Sequence, residues 1–302
     1  MRVISLLPGA TGSIVALGGS ELLVGISHAC DPPGGLAALP RVTAPAIDPS
    51  GASGAIDSAV RSLAAAGQPL FTLDEPLIRS LAPDLIITQA LCAVCAVSEA
   101  DVRALATRLP GPPRVVSVSG STLDGVFADI ITIASAIGLA DEAAELVPGL
   151  RRRVRAVHDR LKAARARRPR VAVIEWSDPV FGAGHWVPEQ VARAGGIDVL
   201  AAAGGHSVVV DANRFRDARP EFVIVAPCGV GIDRAVAEAE WLRDAHPWLE
   251  QTAVWALDAD RLTSRPGPNL VDGIETLASI LSPPLFTPPR PDRARPVLRS
   301  QR

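Results

Sequence analysis

The segment VPGLRRRVRAVHDRLKAARARR, residues 147–168, lies near the middle of the chain and decides how the rest of it is divided. Apolar residues recur in it at steps of three and four, which places them on one face of a helix. They are Val147, Leu150, Val154, Val157, Leu161 and Ala164. Pro148 suits the first turn of such a helix, where it removes no hydrogen bond, and Pro169 ends it after a basic last turn. The pattern therefore predicts one long helix.

On either side of this helix, strand-like and helix-like segments alternate. The predicted strands are 3–7, 22–26, 70–73, 84–88, 115–118, 171–175, 222–226 and 254–257. The predicted helices are 10–17, 56–66, 75–81, 97–109, 122–137, 187–194, 234–244 and 270–281. This alternation is typical of α/β folds with parallel sheets.

We therefore predict two Rossmann-like α/β lobes, each with a central parallel sheet, over residues 1–139 and 170–285. A linking helix over 140–169 joins them. The Pro- and Arg-rich tail, 286–302, is expected to be disordered. The alternative is that the long helix is an ordinary crossover inside one large domain.

Composition limits the function classes. The chain has 302 residues, of which 48% are hydrophobic and 21% charged, enough apolar material for two cores and too little charge for disorder. With a formal net charge of −2, no nucleic-acid partner is expected. The sequence shows no signal peptide, because Pro8 and Gly9 break its first apolar run, and no apolar run long enough to cross a bilayer. We expect a cytoplasmic, monomeric protein whose thiols stay reduced.

Residues suited to chemistry follow the predicted strands. They are Cys30, Cys92, Cys95, Cys228, His28, His185, Trp176 and Trp186. Taken singly, a cysteine is more often a small buried hydrophobe, and a tryptophan often covers a core. Ligands of open α/β sheets, however, bind outside the carboxyl ends of the strands. If the two lobes face each other across the long helix, these loops line one ligand cleft.

Cys92 and Cys95 have the spacing of a metal knuckle or a redox pair. A structural zinc site normally has a second ligand pair at short spacing, which this sequence lacks. A composite site of Cys92, Cys95, Cys30 and His28 stays open, since thiolates favour zinc, copper(I) or iron–sulfur species. The sequence has no phosphate loop, no nucleophile elbow and no HExxH motif, so we expect a non-catalytic protein.

Six segments resemble a known family. They are SLLPGATGSIVALG (5–18), VGISHACDPP (24–33), PDLIITQALCAVCAV (83–97), IEWSDPVFGAGHWVPE (174–189), APCGVGID (226–233) and SRPGPNLVDGIE (264–275). Together they resemble the helical-backbone, class III substrate-binding proteins of ABC transporters, and within that family the cobalamin-binding (BtuF-like, TroA-like) branch. The resemblance extends over residues 2–283.

The resemblance implies two α/β lobes joined by one long helix, with the ligand held in the cleft between them. Secreted relatives bind corrinoids, haem, siderophores or metals and deliver them to an ABC importer, but without export no importer docking is expected here. The residues that the resemblance places in the cleft are Pro8, Gly9, Thr11, His28, Asp31, Gln89, Leu91, Glu175, Trp176, His185, Trp186, Cys228, Arg265, Pro266 and Gly267.

Three departures from the branch concern the same cleft. Gly12 stands where the branch usually has an acidic residue, and Ala29 stands where it has glutamate. The aromatic pair that often precedes SRPGP is replaced by Leu262 and Thr263. Fewer polar and aromatic contacts indicate a different or more loosely held ligand.

Three hypotheses follow. In the first, the protein is a non-catalytic binder of cobalamin, a related corrinoid or another small-molecule metal chelate. Trp176 and Trp186 supply flat apolar surface, Arg265 pairs with a carboxylate or phosphate, and His28, His185 or a cysteine approaches the metal. In the second, the cysteines bind zinc, copper(I) or iron, or act in redox chemistry. In the third, the chain is a degenerate binding scaffold with an interaction role.

Overall fold

The computed structural model describes residues 1–32, 34–90 and 97–298. Leu91, Cys92 and Cys95 lie outside the described residues. The chain divides into two compact units. Unit 1 comprises Met1–Gly120, Asp124–Pro148 and Pro266–Pro268, and unit 2 comprises Ser121–Leu123, Gly149–Arg265 and Asn269–Arg302. Within the described ranges, no helix is both long enough and apolar enough to cross a membrane.

Unit 1 is built around a parallel sheet. Its strands are β1 (Val3–Ser5), β2 (Leu23–Ile26), β3 (Thr43–Pro45), β4 (Phe71–Leu73), β5 (Leu85–Gln89) and β6 (Arg114–Val118). The accompanying helices are α1 (Pro8–Ala16), α2 (Ser53–Ala65), α3 (Glu75–Leu81), α4 (Glu99–Arg108) and α5 (Leu123–Ile137). The sheet order is β2–β1–β5–β6 with every neighbouring pair parallel, while β3 and β4 form a separate antiparallel pair. The parallel sheet predicted for the first lobe is confirmed.

The core of unit 1 follows from the apolar runs in its central strands. Ile4 of β1 and Ile86 and Ile87 of β5 are at most 1% exposed, as expected for parallel strands covered on both faces. Pro8 stands in the first turn of α1, and Gly18 ends that helix in a left-handed conformation with φ of 81°. The predicted strand, turn and helix at the start of the chain are therefore confirmed.

The long helix is α6 (Ala140–Ala163), whose residues up to Pro148 belong to unit 1 and whose later residues belong to unit 2. Its predicted apolar face, from Val147 to Leu161, is buried. The helix begins at Ala140, so Pro148 lies inside it rather than in its first turn as predicted, and it ends at Ala163, before the predicted end. It ends because Arg165 takes up a left-handed conformation and Ala166 N donates to Leu161 O (3.0 Å), the bonding of a helix-terminating motif that usually uses glycine.

Unit 2 contains a mixed seven-stranded sheet. Its strands are β7 (Arg170–Trp176), β8 (Phe181–Gly182), β9 (Ile197–Asp198), β10 (Val208–Val209), β11 (Phe222–Val225), β12 (Ala253–Leu257) and β13 (Ala294–Pro296). Its helices are α7 (Val187–Arg193), α8 (Ala212–Asp217), α9 (Ile232–Ala245), α10 (Ala259–Leu262) and α11 (Leu270–Leu281). The order is β10–β8–β7–β11–β12–β13, with β9 also beside β7. The centre, β7, β11 and β12, is parallel as predicted, whereas β8, β10 and β13 pair antiparallel.

The disorder predicted for residues 286–302 is wrong for the part that the structure describes, which extends to residue 298. β13 pairs with β12, matching Trp255 to Pro296 and Leu257 to Ala294. Val297 N donates to Val254 O at 2.9 Å, and the Val297 side chain is 5% exposed. Composition suggested disorder, but main-chain pairing with β12 and burial of apolar side chains order this segment.

Candidate functional site

The candidate site residues of unit 1 gather at one edge of its sheet. Because β1, β2 and β5 are parallel, their carboxyl ends lie at the same edge. The predicted residues there are Pro8, Gly9 and Thr11 at the start of α1, His28 and Asp31 after β2, and Gln89 at the end of β5. Asp31 is exposed, and Pro8, His28 and Gln89 are partly buried. In unit 1 these residues therefore follow the carboxyl ends of their strands, as the sequence predicts.

His28 is the best-defined polar group at this edge. Thr43 Oγ1 lies 2.7 Å from His28 Nδ1 and accepts from His28 N at 2.9 Å, while donating to Ser27 Oγ at 3.3 Å. The ring stacks on Phe71 with 5.4 Å between ring centres. Burial, and then the charge of Arg41, lower the pKa of His28, which favours the neutral imidazole.

Thr11 and Cys30 are turned inward. Thr11 Oγ1 donates to Ser5 Oγ at 2.9 Å and lies 3.2 Å from Cys30 Sγ, and all three side chains are buried. Arg41 Nη1 donates to Cys30 O at 2.5 Å. The direct ligand contact predicted for Thr11 is thus corrected, since its hydroxyl belongs to an internal network. Because Cys92 and Cys95 lie outside the described residues, the composite cysteine site stays a hypothesis.

Two predicted segments that are distant in sequence meet at Gly9. A Cβ atom on Gly9 would lie 2.1 Å from Pro266 O, far inside contact distance, so only glycine fits. Gly267, the residue that follows Pro266, is also buried. The structure therefore brings the start of α1 and the Pro266–Pro268 segment together within unit 1.

In unit 2 the carboxyl edge of the sheet carries Glu175, Trp176 and Cys228. Glu175 and Trp176 are the last residues of β7, both partly buried, and Cys228 is exposed after β11. Cys228 N donates to Glu175 O at 3.0 Å, which joins the two strand ends. These three residues lie where the strand-end rule predicts.

His185 and Trp186 do not lie at that edge, which corrects the expectation. Strand β8 turns back antiparallel along β7, and Ala183 N donates to Val173 O at 3.0 Å, in the middle of β7. Trp186 is 5% exposed, and its Nε1 donates to Thr263 O at 2.6 Å. The role predicted for Trp186, an exposed binding surface, is therefore corrected: its ring packs inside unit 2.

A histidine that sequence reasoning missed contacts His185. The rings of His185 and His206 are 5.4 Å apart and nearly perpendicular, at 87°. His206 is exposed and His185 partly buried. Burial, and then His206, lower the pKa of His185. No local pattern marks His206, because it lies in a Gly-rich loop far along the chain from His185.

The guanidinium of Arg265 has a partner within unit 2. Arg265 Nη2 lies 3.0 Å from Asp260 Oδ2, and the two side chains are only 17% and 20% exposed. The prediction that Arg265 pairs with a ligand carboxylate or phosphate therefore requires that the ligand compete with Asp260 or share Arg265 with it.

A charged groove of about 400 Å³ lies elsewhere in unit 2. It is lined by Gly231, Ile232, Asp233, Arg234, Asp258, Arg261 and Asp292. Arg261 lies 3.5 Å from Asp258 and 3.7 Å from Asp292, so opposite charges largely offset one another. This groove contains none of the predicted site residues. Within the described ranges, no group of three or more His, Cys, Asp or Glu is arranged to hold a metal ion.

Comparison with protein families gives one match. The model of the Peripla_BP_2 family, described as periplasmic binding protein, matches residues 3–254. A search of curated proteins finds no significant match.

Several solved structures share the fold at low sequence identity. A periplasmic heme binding protein from Pseudomonas aeruginosa has a TM-score of 0.72 and 20% identity, covering 99% of both chains. The heme binding protein HutB of Vibrio cholerae has a TM-score of 0.69 and 18% identity, covering 94% of this chain and 99% of that one. The vitamin B12 binding protein BtuF of Vibrio cholerae has a TM-score of 0.63 and 21% identity, covering 93% and 96%. At such identities the likeness establishes the fold alone.

Proposed function

Because this chain belongs to the periplasmic binding protein family, we propose that it is a non-catalytic binding protein for a corrinoid such as cobalamin, or for a related metal chelate. The residues proposed for ligand contact lie at the carboxyl edge of the sheet in each unit. In unit 1 these are Pro8, Gly9, His28, Asp31 and Gln89, and in unit 2 they are Glu175, Trp176, Cys228 and Arg265.

The observation that carries the proposal is the oriented imidazole of His28. We assign the proton of the neutral ring to Nδ1, with Thr43 Oγ1, 2.7 Å away, as its acceptor. His28 Nδ1 then carries the proton, and Nε2 presents its lone pair. A neutral imidazole whose other nitrogen is hydrogen-bonded is the usual form of a metal-binding histidine. In this form, Nε2 of His28 in unit 1 is available to bind the metal of a chelate.

The amino-acid composition limits which side chains of this protein could bind the metal of the ligand axially. The sequence contains no tyrosine, and its single methionine is Met1. Of the side chains that commonly bind the metal of a tetrapyrrole axially, histidine and cysteine therefore remain as candidates. Trp176, partly buried at the end of β7, offers an aromatic surface for the flat face of such a ligand.

Ligand retention tests the proposal. The purified full chain is incubated with aquocobalamin or with haemin, passed through gel filtration, and examined for cobalt, iron and visible absorption. We expect stoichiometric cobalt with a corrin spectrum. His28→Ala should weaken the affinity by about tenfold or more, equivalent to about 1.4 kcal/mol, because an axial bond is lost.

The control is His158→Ala, which alters an exposed residue of α6 and should leave the affinity unchanged. Trp176→Ala should weaken corrinoid binding more than Cys92→Ser does. If the chain retains haemin but not aquocobalamin, the ligand class in the proposal changes from a corrinoid to a porphyrin. Metal that is bound by the parent chain but not by the Cys92→Ser, Cys95→Ser double variant would favour the thiolate hypothesis. If the parent chain retains neither ligand nor metal, the degenerate scaffold is favoured.

Cellular location is a separate part of the proposal. The cytoplasmic location expected from the sequence would separate this chain from importer docking, whereas an exported chain would meet an ABC importer. Fractionation of cells that express the full native gene distinguishes the two outcomes.

A further inference from the structure

The contact between His185 and His206 is not used by the proposed function. His185 lies at the turn into α7, and His206 lies in the loop over residues 199–207, here called the His206 loop. Their ring centres are 5.4 Å apart and their planes meet at 87°. Both residues lie in unit 2, set back from the carboxyl edge of β7 by strand β8.

The main chain fixes this contact. His185 N donates to Gly205 O at 2.6 Å, and Gly204 N donates to His185 O at 2.8 Å. A Cβ atom on Gly184 would lie 2.4 Å from Ser207 N, so the two segments are packed backbone against backbone. His185 itself has a left-handed backbone with φ of 55°, a conformation that is uncommon outside glycine but that histidine adopts more often than most residues do. The two imidazoles are therefore held at a set separation.

One nitrogen of the pair lacks a hydrogen bond. His185 Nδ1 is buried and has no partner among the described residues. Burial of a polar atom without a partner costs free energy, and a bound ligand that supplied a partner would recover that cost. The neighbouring exposed imidazole of His206 supplies a second nitrogen donor.

We propose that His185 and His206 together bind a divalent transition-metal ion of the zinc, nickel or copper(II) class. Two imidazoles bound to one tetrahedral zinc ion, with Zn–N bonds of about 2.0–2.1 Å, have ring centres about 5 Å apart, which matches the observed separation. Imidazole nitrogen is a favoured donor for these ions. With two protein ligands, the remaining coordination positions are filled by water or by donors of a solute.

The tryptophan beside the pair provides a direct readout. The Trp186 ring centre lies 5.7 Å from that of His185, so a paramagnetic ion bound by the histidines would quench Trp186 fluorescence. The full chain is first stripped with a chelator and dialysed. It is then titrated with Zn²⁺ by calorimetry and with Cu²⁺ by fluorescence, in a Cys92→Ser, Cys95→Ser background that removes the thiolate pair.

We expect one zinc ion to bind with an affinity that His206→Gln weakens by at least about tenfold, since even losing the outer partners of metal ligands costs about 10–100-fold. His185→Asn should have the same effect, because asparagine tolerates the left-handed backbone and preserves the fold. His158→Gln and His28→Gln should bind zinc as strongly as the parent.

Zinc binding that persists undiminished in His206→Gln would overturn the proposal, as would zinc binding lost in His28→Gln. Absence of zinc binding and of copper quenching in the parent would also overturn it. None of these results depends on whether the chain retains a corrinoid, so the metal site and the proposed function fail independently.

Discussion

His28 in unit 1 and His185 in unit 2 are both partly buried histidines of lowered pKa, but their surroundings differ. His28 has a hydroxyl at Nδ1 and an aromatic ring stacked against its face. His185 Nδ1 has no partner among the described residues. The first environment orients a single donor, whereas the second leaves a donor unsatisfied beside another imidazole.

The same difference extends to the segments that hold the two histidines. In unit 2 the His206 loop follows Asp198, whose Oδ1 accepts from Leu200 N and Ala201 N while its buried Oδ2 has no partner among the described residues. Buried polar groups without partners reduce stability and tend to accompany function. The comparison implies that the hydrogen bonds at His28 stabilise the fold, whereas the atoms without partners at His185 and Asp198 reduce its stability.

The largest expected effect is at Gly184. A Cβ atom there would lie 2.4 Å from Ser207 N and 2.6 Å from His206 C, and both are backbone atoms. Gly184→Ala should therefore displace the His206 loop and lower the free energy of unfolding by about 3 kcal/mol, near the upper end for an overpacked site. Denaturant unfolding measures this change.

Gly149→Ala is the matched control in α6. Its added Cβ would meet only Arg152 Nη2, at an ordinary 3.7 Å, so the change should raise stability by up to about 1 kcal/mol. An unchanged stability in Gly184→Ala would show that the His206 loop moves freely, and the contrast between the two histidines would lose its structural basis.

The next effect concerns the pH dependence of stability at Asp198. Burial raises the pKa of Asp198 from 3.8 to about 6. The main-chain hydrogen bonds from Leu200 and Ala201 lower this pKa, but by less than burial raises it. Between these pH values the unfolded chain releases the proton while the folded chain keeps it, so stability falls as pH rises. Asp198→Asn should remove this fall and be more stable than the parent above about pH 6, by about 1–3 kcal/mol.

Asp48→Asn serves as the control of opposite sign. Hydrogen bonds from Ser50 lower the pKa of Asp48, so its ionised form contributes stability above its unfolded pKa, and that contribution is lost as pH falls through the folded pKa. Unfolding free energies measured from about pH 2 to pH 7 should therefore show the Asp48 contribution lost below about pH 4 and the Asp198 penalty appearing between about pH 4 and pH 6. Parallel curves would contradict the assignment of a destabilising carboxyl to unit 2.

The contrast between the units also shows which features the sequence predicts. The edge that holds His28 follows from local signals: an apolar strand, a polar loop and parallel order. The position of His185 does not, because β8 has only two residues, Phe181 and Gly182, and no strand pattern of its own. Its pairing with β7 is long-range main-chain bonding, as is the pairing of β13 with β12 that orders the tail.

Two helix ends make the same point. Gly18 ends α1 as its sequence predicts, because glycine adopts the left-handed conformation without steric cost. Arg165 ends α6 in that conformation although its side chain disfavours it, so no sequence rule identified the end. The contact of His206 with His185 likewise depends on the folded His206 loop. Local rules therefore located most elements, while tertiary contacts determined the details of unit 2.

Substitution of Thr43 tests how much the hydrogen bonds at His28 contribute to stability and to ligand affinity. Thr43→Val removes the hydroxyl that bonds His28 N, His28 Nδ1 and Ser27 Oγ, and it leaves these groups to find other partners. We expect the free energy of unfolding to fall by about 1–2 kcal/mol and ligand affinity to fall with it. Thr43→Ser keeps the hydroxyl and should restore most of both. Equal losses in the two variants would indicate packing rather than hydrogen bonding.

The smallest effect is expected at Phe71, which tests whether stacking adds to that hydrogen bonding. Its ring lies 5.4 Å from the His28 ring at an angle of 28°, and aromatic contacts of this kind contribute about 0.5–1.5 kcal/mol beyond burial. Phe71→Leu should lower the unfolding free energy by about 1 kcal/mol, whereas Phe71→Tyr, which keeps the ring, should not. If Phe71→Leu weakens ligand binding while Thr43→Val does not, then stacking positions Nε2 independently of the hydroxyl. If neither variant changes binding, the order at His28 serves the fold of unit 1 rather than a ligand.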